Sequence, residues 1–343
     1  MSEPSCPYAP PQERRSFIHG VTGILEAGLI IALSIVAAIA VTGFLGLDMA
    51  GALGLRGGEP DFLSASAAAA VQLGTQYGVL FALAALTGWL RGRRSMRSYA
   101  IASPRKGIRH GIAYGVVLGL LSGVIPSVVL ILQDVAPIGR DAPMWAVFRG
   151  VEWNWQVWLF LAIGSFAVIP LLEEGAWRGY VLGRLAEGMA PGAAVILTTL
   201  AFSMLHVQYL AADAALLASF GGLLLASLAF GLATLRTGSL LPAIIAHVII
   251  NFPSTTEIHL ARLALAALLL IVFRRAIYQE ACSWAALLLR WSTLTVVPVI
   301  LALAGLAIVI LTLAPDPLVL AGLLVALFLT TGFLRRSAWA PRS

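Results

Sequence analysis

The sequence predicts an all-α protein, a polytopic transmembrane helical bundle of about 8–10 spans with both termini on the inner side (N-in/C-in). Three observations predict it. Sixty per cent of the 343 residues are hydrophobic and only 11% are charged, whereas a soluble domain carries roughly 25% charge. The apolar residues gather into runs close to the roughly 20 residues that a spanning helix needs. The basic residues sit between those runs, as the positive-inside rule requires. This composition excludes disordered, collagen-like and disulfide-scaffold classes, and two cysteines, Cys6 and Cys282, make neither a disulfide framework nor a zinc ribbon.

Ten runs qualify, near 18–46, 64–90, 110–132, 153–172, 191–210, 214–235, 239–252, 258–273, 293–314 and 317–334. Polar Met1–Ser16 lacks the apolar stretch of a cleavable signal, so the first run is expected to remain as a helix. The second and third are separated by the most basic connection, Arg91 to Arg109. Asp134–Gly150, with Pro137 and Pro143, reads as a loop before the fourth run. The run at 239–252 is short, and 258–273 suits either a span or a re-entrant segment. Arg274–Trp291 mixes charge with Trp and Leu, like a helix lying in the inner interface. Three parts follow: N-terminal transmembrane helices at 1–134, a helical core at 150–255, and a C-terminal transmembrane extension at 256–343.

The formal charge of +6 resembles a nucleic-acid signal, but position argues against one. With the N-terminus inside, 18 of the 22 Lys and Arg fall on the inner side and 4 on the outer. The Arg91–Arg109 patch is therefore read as a topology determinant, with acidic-lipid binding as the alternative. The partners expected are the lipid bilayer and a membrane-associated peptide or protein, with no nucleic acid; no feature specifies an oligomeric state. Arginine supplies 21 of the 22 basic residues, which suggests a GC-rich bacterial genome and hence a bacterial inner membrane.

Ionisable groups inside spans are costly and are functional candidates by default. Apart from Glu26 in the first run, which suits an interior hydrogen bond or a substrate path, they cluster in one third of the chain. The fourth run ends in IPLLEEGAWRGYVLGRL, the fifth contains AFSMLHVQY, and the seventh reads GSLLPAIIAHVIINF. Glu174 and Arg178, four apart with the acid first, suit an intrahelical pair. Glu173 points about 100° away and escapes that pairing. Phe202 and His206 share a face, as do His247 and Asn251. At about 1.5 Å per residue, His206 lies about 22 Å from Pro191, and Asn251 about 18 Å from Ser239. Glu173 reaches this depth if its helix continues to about Leu185, with Tyr180, Val181, Leu182 and Leu185 facing lipid and Arg184 snorkelling. The three polar stripes then meet.

Such a group suits peptide-bond hydrolysis. A buried carboxylate works as base or acid near neutral pH: Glu173 holds the water and His206 helps to orient and deprotonate it. His247 and the Asn251 amide are donors for the oxyanion of a tetrahedral intermediate. Glu174, Arg178 and Phe202 read as supporting residues. Neither GxSxG nor HExxH occurs. Two carboxylates and two histidines also suit zinc, with Glu173, His206 and His247 as the three protein ligands of a catalytic site. A metal-free glutamate mechanism is preferred, because a ligating Glu173 leaves no separate base.

Glu173-Glu174-Gly-Ala-Trp-Arg178 resembles the EExxxR signature of the CPBP (Abi) intramembrane protease family, which includes the type II CAAX prenyl endopeptidases. Phe202–His206 is similar to that family's FxxxH, and His247–Asn251 to its HxxxN. The resemblance covers roughly residues 150–255, with the motifs in the family's order. It implies a glutamate-dependent protease without a cofactor, in which Glu173 and His206 activate water and His247 and Asn251 form the oxyanion hole. The prenylated substrate of the best-known members does not carry over to a bacterium; other bacterial members are associated with peptide maturation and bacteriocin self-protection. The alternatives are a proton-coupled membrane transporter and a catalytically silent immunity or scaffold protein of the same fold.

Overall fold

The computed structural model describes residues 17–91, 107–135, 148, 151–206, 209, 214–253 and 255–289. The expected spans at 293–314 and 317–334, and with them the side of the C-terminus, lie outside these, as does most of the basic connection before Arg109. Every regular element among the described residues is helical, and the protein is an all-α, multi-pass membrane bundle. In chain order the helices are α1 (Phe17–Phe44), α2 (Met49–Ala52), α3 (Phe62–Leu90), α4 (Ile108–Ser122) and α5 (Val124–Val135). Then come α6 (Trp155–Gly188), α7 (Pro191–Met204), α8 (Ala214–Thr237), α9 (Leu241–Asn251), α10 (Thr256–Val272) and α11 (Arg274–Leu289).

Among the described residues, five helical stretches are long and apolar enough to cross a membrane: Gly20–Phe44, Phe62–Leu90, Ile108–Gln133 (α4 with α5), Trp155–Gly188 and Ala215–Thr237. The shortest, 23 residues, covers about 35 Å, more than the roughly 30 Å hydrocarbon core. The fifth and seventh runs form shorter helices than their hydropathy suggests. α7 has 14 residues and α9 has 11, about 21 and 17 Å. Each stops where its polar stripe begins to matter: α7 just before His206, α9 at Asn251. Helix ends at membrane depth are tolerated where protein or a hydrated cavity receives their backbone. The 258–273 run is likewise helical, as the 17-residue α10.

α6 is the spine of the bundle. It continues past Leu185 to Gly188, as the depth argument requires, but with π-helical turns at Ala162–Phe166 and Gly175–Val181. Such turns are rare and concentrate at functional sites. Its lower half does not face lipid. Tyr180, Val181, Leu182 and Leu185 are all buried against α1, α3 and α7, and Arg184 is only 4% exposed. Arg184 does not snorkel because two acids reach it inside: Nε donates to Glu26 at 2.9 Å and Nη1 to Glu187 at 3.3 Å. Arg91 bridges the same two carboxylates at 3.1 and 2.9 Å, and the Tyr180 hydroxyl donates to Glu26 at 2.8 Å. Glu26 is thus an interior structural acid, and the cluster pins α1 and α3 to the foot of α6. Arg178 and Arg184, both interior, carry no weight in the orientation count, but the inner connections remain the more basic without them.

α4 presses on α9 through Gly115 and Gly119. A Cβ at Gly115 would lie 2.8 Å from the Pro242 carbonyl oxygen, and one at Gly119 would lie 2.9 Å from the Ala246 Cα. Small residues at this spacing let membrane helices approach backbone to backbone. Ala246 precedes His247, so this contact sets the height and rotation of a site residue. Gly119→Ala is expected to lower stability by about 1–3 kcal/mol through overpacking and to displace His247. Gly78→Ala, where nothing lies within 4 Å of the added carbon, should change neither. Thermal unfolding of both variants checks this.

Candidate active site

Successive residues of α6 treat their carboxylates differently. Glu174 is 0% exposed, and its Oε1 accepts from Arg178 Nη1 at 3.0 Å, the pair expected from the spacing. Arg178 is itself 1% exposed and donates through Nη2 to the Ser227 hydroxyl at 2.8 Å. Its guanidinium carbon lies 4.4 Å from the Phe202 ring centroid and 5.5 Å from that of Phe230, close enough for cation–π attraction. Phe202, from α7, also meets Trp177 edge-to-face at 5.6 Å. The charge pair is therefore neutralised and enclosed by aromatic walls, which is how a buried ion pair is tolerated.

Glu173 escapes that arrangement, as the helical rotation requires. Its side chain keeps 13% exposure, and its one hydrogen bond among the described residues is a long one from the Tyr77 hydroxyl of α3, at 3.3 Å. His247 stands between the two acids. Nδ1 lies 2.7 Å from Glu174 Oε1, and Nε2 lies 3.8 Å from Glu173 Oε2. The short contact makes Nδ1–H the donor to the ion-paired carboxylate, and so fixes the ring's orientation. The longer one is too far for a direct hydrogen bond and leaves space for a water touching both groups.

Asn251, one turn beyond His247, donates from Nδ2 to the Ser165 carbonyl at 3.3 Å, and the Ser165 hydroxyl donates back to the Asn251 carbonyl at 3.2 Å. Phe166 and Phe252, the next residue on each chain, close edge-to-face at 5.1 Å. This clasp joins the end of α9 to the first π-turn of α6. An amide has two N–H donors, so one remains after the bond to Ser165.

His206 sits just past α7, with Nδ1 3.0 Å from the Phe202 carbonyl oxygen and its ring stacked toward Tyr209 at 6.4 Å. Bonding to a carbonyl makes Nδ1 the protonated nitrogen and leaves Nε2 the basic one. The structure thus brings Glu173, Glu174, Arg178, Phe202 and His247 into one contact group. His206 joins it through Phe202, without a hydrogen bond to Glu173, and Asn251 is held one helical turn above.

Sequence reasoning missed four contributors. Tyr77 lies in the only glutamine-bearing stretch of the second run, VQLGTQYG, and that polarity was a usable signal. Ser227, Ser165 and Phe230 lie in stretches where nothing sets them apart. The direct link from His247 to Glu174 was also missed, because spacing along one helix says nothing of which acid a second helix will meet. Among the described residues no group of three or more His, Cys, Asp or Glu side chains is placed to hold a metal ion.

No curated protein and no solved structure matches the chain. A family model does, and it covers α6 through α9, which carry every residue of this cluster but Tyr77, leaving α1–α5, α10 and α11 outside. Residues 153–253 match the family described as type II CAAX prenyl endopeptidase Rce1-like, and it is to that family that this stretch of the chain is similar.

Proposed function

We propose that the protein is an intramembrane endopeptidase that hydrolyses a peptide bond of a membrane-associated protein or peptide, with Glu173 as the base. One observation carries this reading: of two adjacent carboxylates, one is buried in an ion pair that anchors His247, and the other stands beside the same imidazole without a charged partner. In the first step a water between Glu173 and His247 loses a proton to Glu173 while its oxygen attacks the scissile carbonyl. His206 Nε2, the basic nitrogen of that ring, assists in orienting and deprotonating the water. The oxyanion then accepts from the second Asn251 N–H and, when His247 carries both protons, from His247 Nε2–H. Glu173 returns its proton to the departing amine, and the tetrahedral intermediate collapses. The similarity of residues 153–253 to a prenyl endopeptidase family supports the reaction class. The substrate is proposed only as a membrane-associated peptide, and the membrane as a bacterial inner membrane.

The test is cleavage of a quenched fluorescent membrane peptide by the purified full chain in detergent. A transporter or a silent scaffold of this fold leaves the peptide intact. Under the metal-free mechanism, activity should survive dialysis against a strong chelator, with well under one zinc per chain. Activity lost to the chelator and restored by stoichiometric zinc would make Glu173, His206 and His247 ligands and overturn the mechanism.

A further inference from the structure

Outside the matched segment, α10 turns one polar face inward. His259, Arg262 and Ala266, at helical spacing, are 6%, 9% and 1% exposed, while Leu260, Leu265 and Leu268 on the other side are 43–54% exposed. The inward face packs on α5 in antiparallel register. His259 Nδ1 lies 3.0 Å from the hydroxyl of Ser127, which is itself fully buried, and one turn earlier Gly123, between α4 and α5, lies under Arg262. A Cβ at Gly123 would lie 3.5 Å from the Arg262 Cδ, an ordinary packing distance, so the arginine stem runs directly past this backbone.

What sets Arg262 apart is its partners. The other two buried arginines of the bundle, Arg178 and Arg184, each bind a glutamate. Arg262 makes no hydrogen bond or ion pair among the described residues. α4 has no acid, and the acid of α10, Glu257, is exposed in its first turn. Asp134 of α5 lies eleven residues beyond Gly123, about 16 Å along the helix. A largely buried arginine without a counter-charge is a ready partner for an anion. None of its nitrogens is among the fully enclosed polar atoms without a partner, so an incoming ligand can reach them. Arg262 lies six residues into α10, about 9 Å from its start.

We propose that Arg262, flanked by His259 and Ser127, is a binding site for a phosphate-class oxyanion, supplied by an anionic lipid headgroup or by free phosphate. The planar fork of a guanidinium suits bidentate binding of phosphate oxygens. The site is independent of the proposed hydrolysis, since its residues belong to α5 and α10.

The experiment is thermal unfolding of the purified full chain in neutral detergent, alone and with phosphatidylglycerol, phosphatidylcholine or inorganic phosphate. The expected result is a rise of a few degrees in the midpoint with an anionic addition and none with phosphatidylcholine. A rise with phosphatidylglycerol alone assigns the headgroup as source; one with inorganic phosphate assigns the free ion. Arg262→Gln should abolish the response yet unfold no earlier than the parent without additions, because Arg262 makes no hydrogen bond or ion pair among the described residues for the change to break. Arg262→Lys should keep a weakened response. Equal responses of parent and Arg262→Gln, no response from either, or an Arg262→Gln midpoint well below the parent without additions would each overturn the site.

Discussion

Glu173→Gln should lose cleavage by about 10²–10⁴-fold, the usual contribution of a general acid–base group, while the protein inserts and unfolds much as before. The amide has the shape of the carboxylate and still accepts from the Tyr77 hydroxyl, but it cannot take a proton from water. Little stability is at stake, because among the described residues the only hydrogen bond to Glu173 is that long one at 3.3 Å. His247 keeps its orientation, since its short bond is to Glu174 at 2.7 Å. The measurement is the cleavage rate of a membrane peptide beside an unfolding curve on the same preparation. Retention of more than about a tenth of the parent rate would remove Glu173 from the base role.

The contrast between the two glutamates shows what a single chain reveals. Their rotation on α6 and the Glu174–Arg178 pair follow from helical spacing, and both stand in the structure. The continuation of the fourth helix followed from depth alone. Spacing within a helix, however, is blind to what a second helix brings. Tyr180, Leu182 and Leu185 look like lipid-facing residues by hydropathy but are core, because α1 and α3 cover that side of α6. Arg184 looks like a snorkelling residue but finds Glu26, 158 positions away in sequence. The short lengths of α7 and α9 were hidden for a related reason: hydropathy continues past their ends, and only the polar contacts of His206 and Asn251 show why the helices stop.

The second large effect concerns the enclosed pair. Glu174→Gln leaves Arg178, 1% exposed, with Ser227 and aromatic rings but no counter-charge, and breaking a buried pair from one side typically costs about 3–5 kcal/mol. Arg178→Met leaves Glu174 with His247 as its remaining polar partner and should cost a similar amount. The double variant removes both charges, and Met fills the space between Phe202 and Phe230, so its stability should return toward that of the parent. A coupling energy of about 1–3 kcal/mol in the cycle is expected, and strictly additive losses would show that the pair is not energetically linked. Activity should not follow stability back. In the double variant His247 Nδ1 donates to a neutral amide in place of a carboxylate, and hydrogen bonds to charged groups contribute about 1 kcal/mol more than neutral ones. A weaker anchor for the imidazole then leaves cleavage about 5–10-fold below the parent, in a protein as stable as the parent. Recovery of both properties together would make Glu174 and Arg178 a packing device alone. Recovery of stability without activity identifies the pair as the mount that holds His247 opposite Glu173.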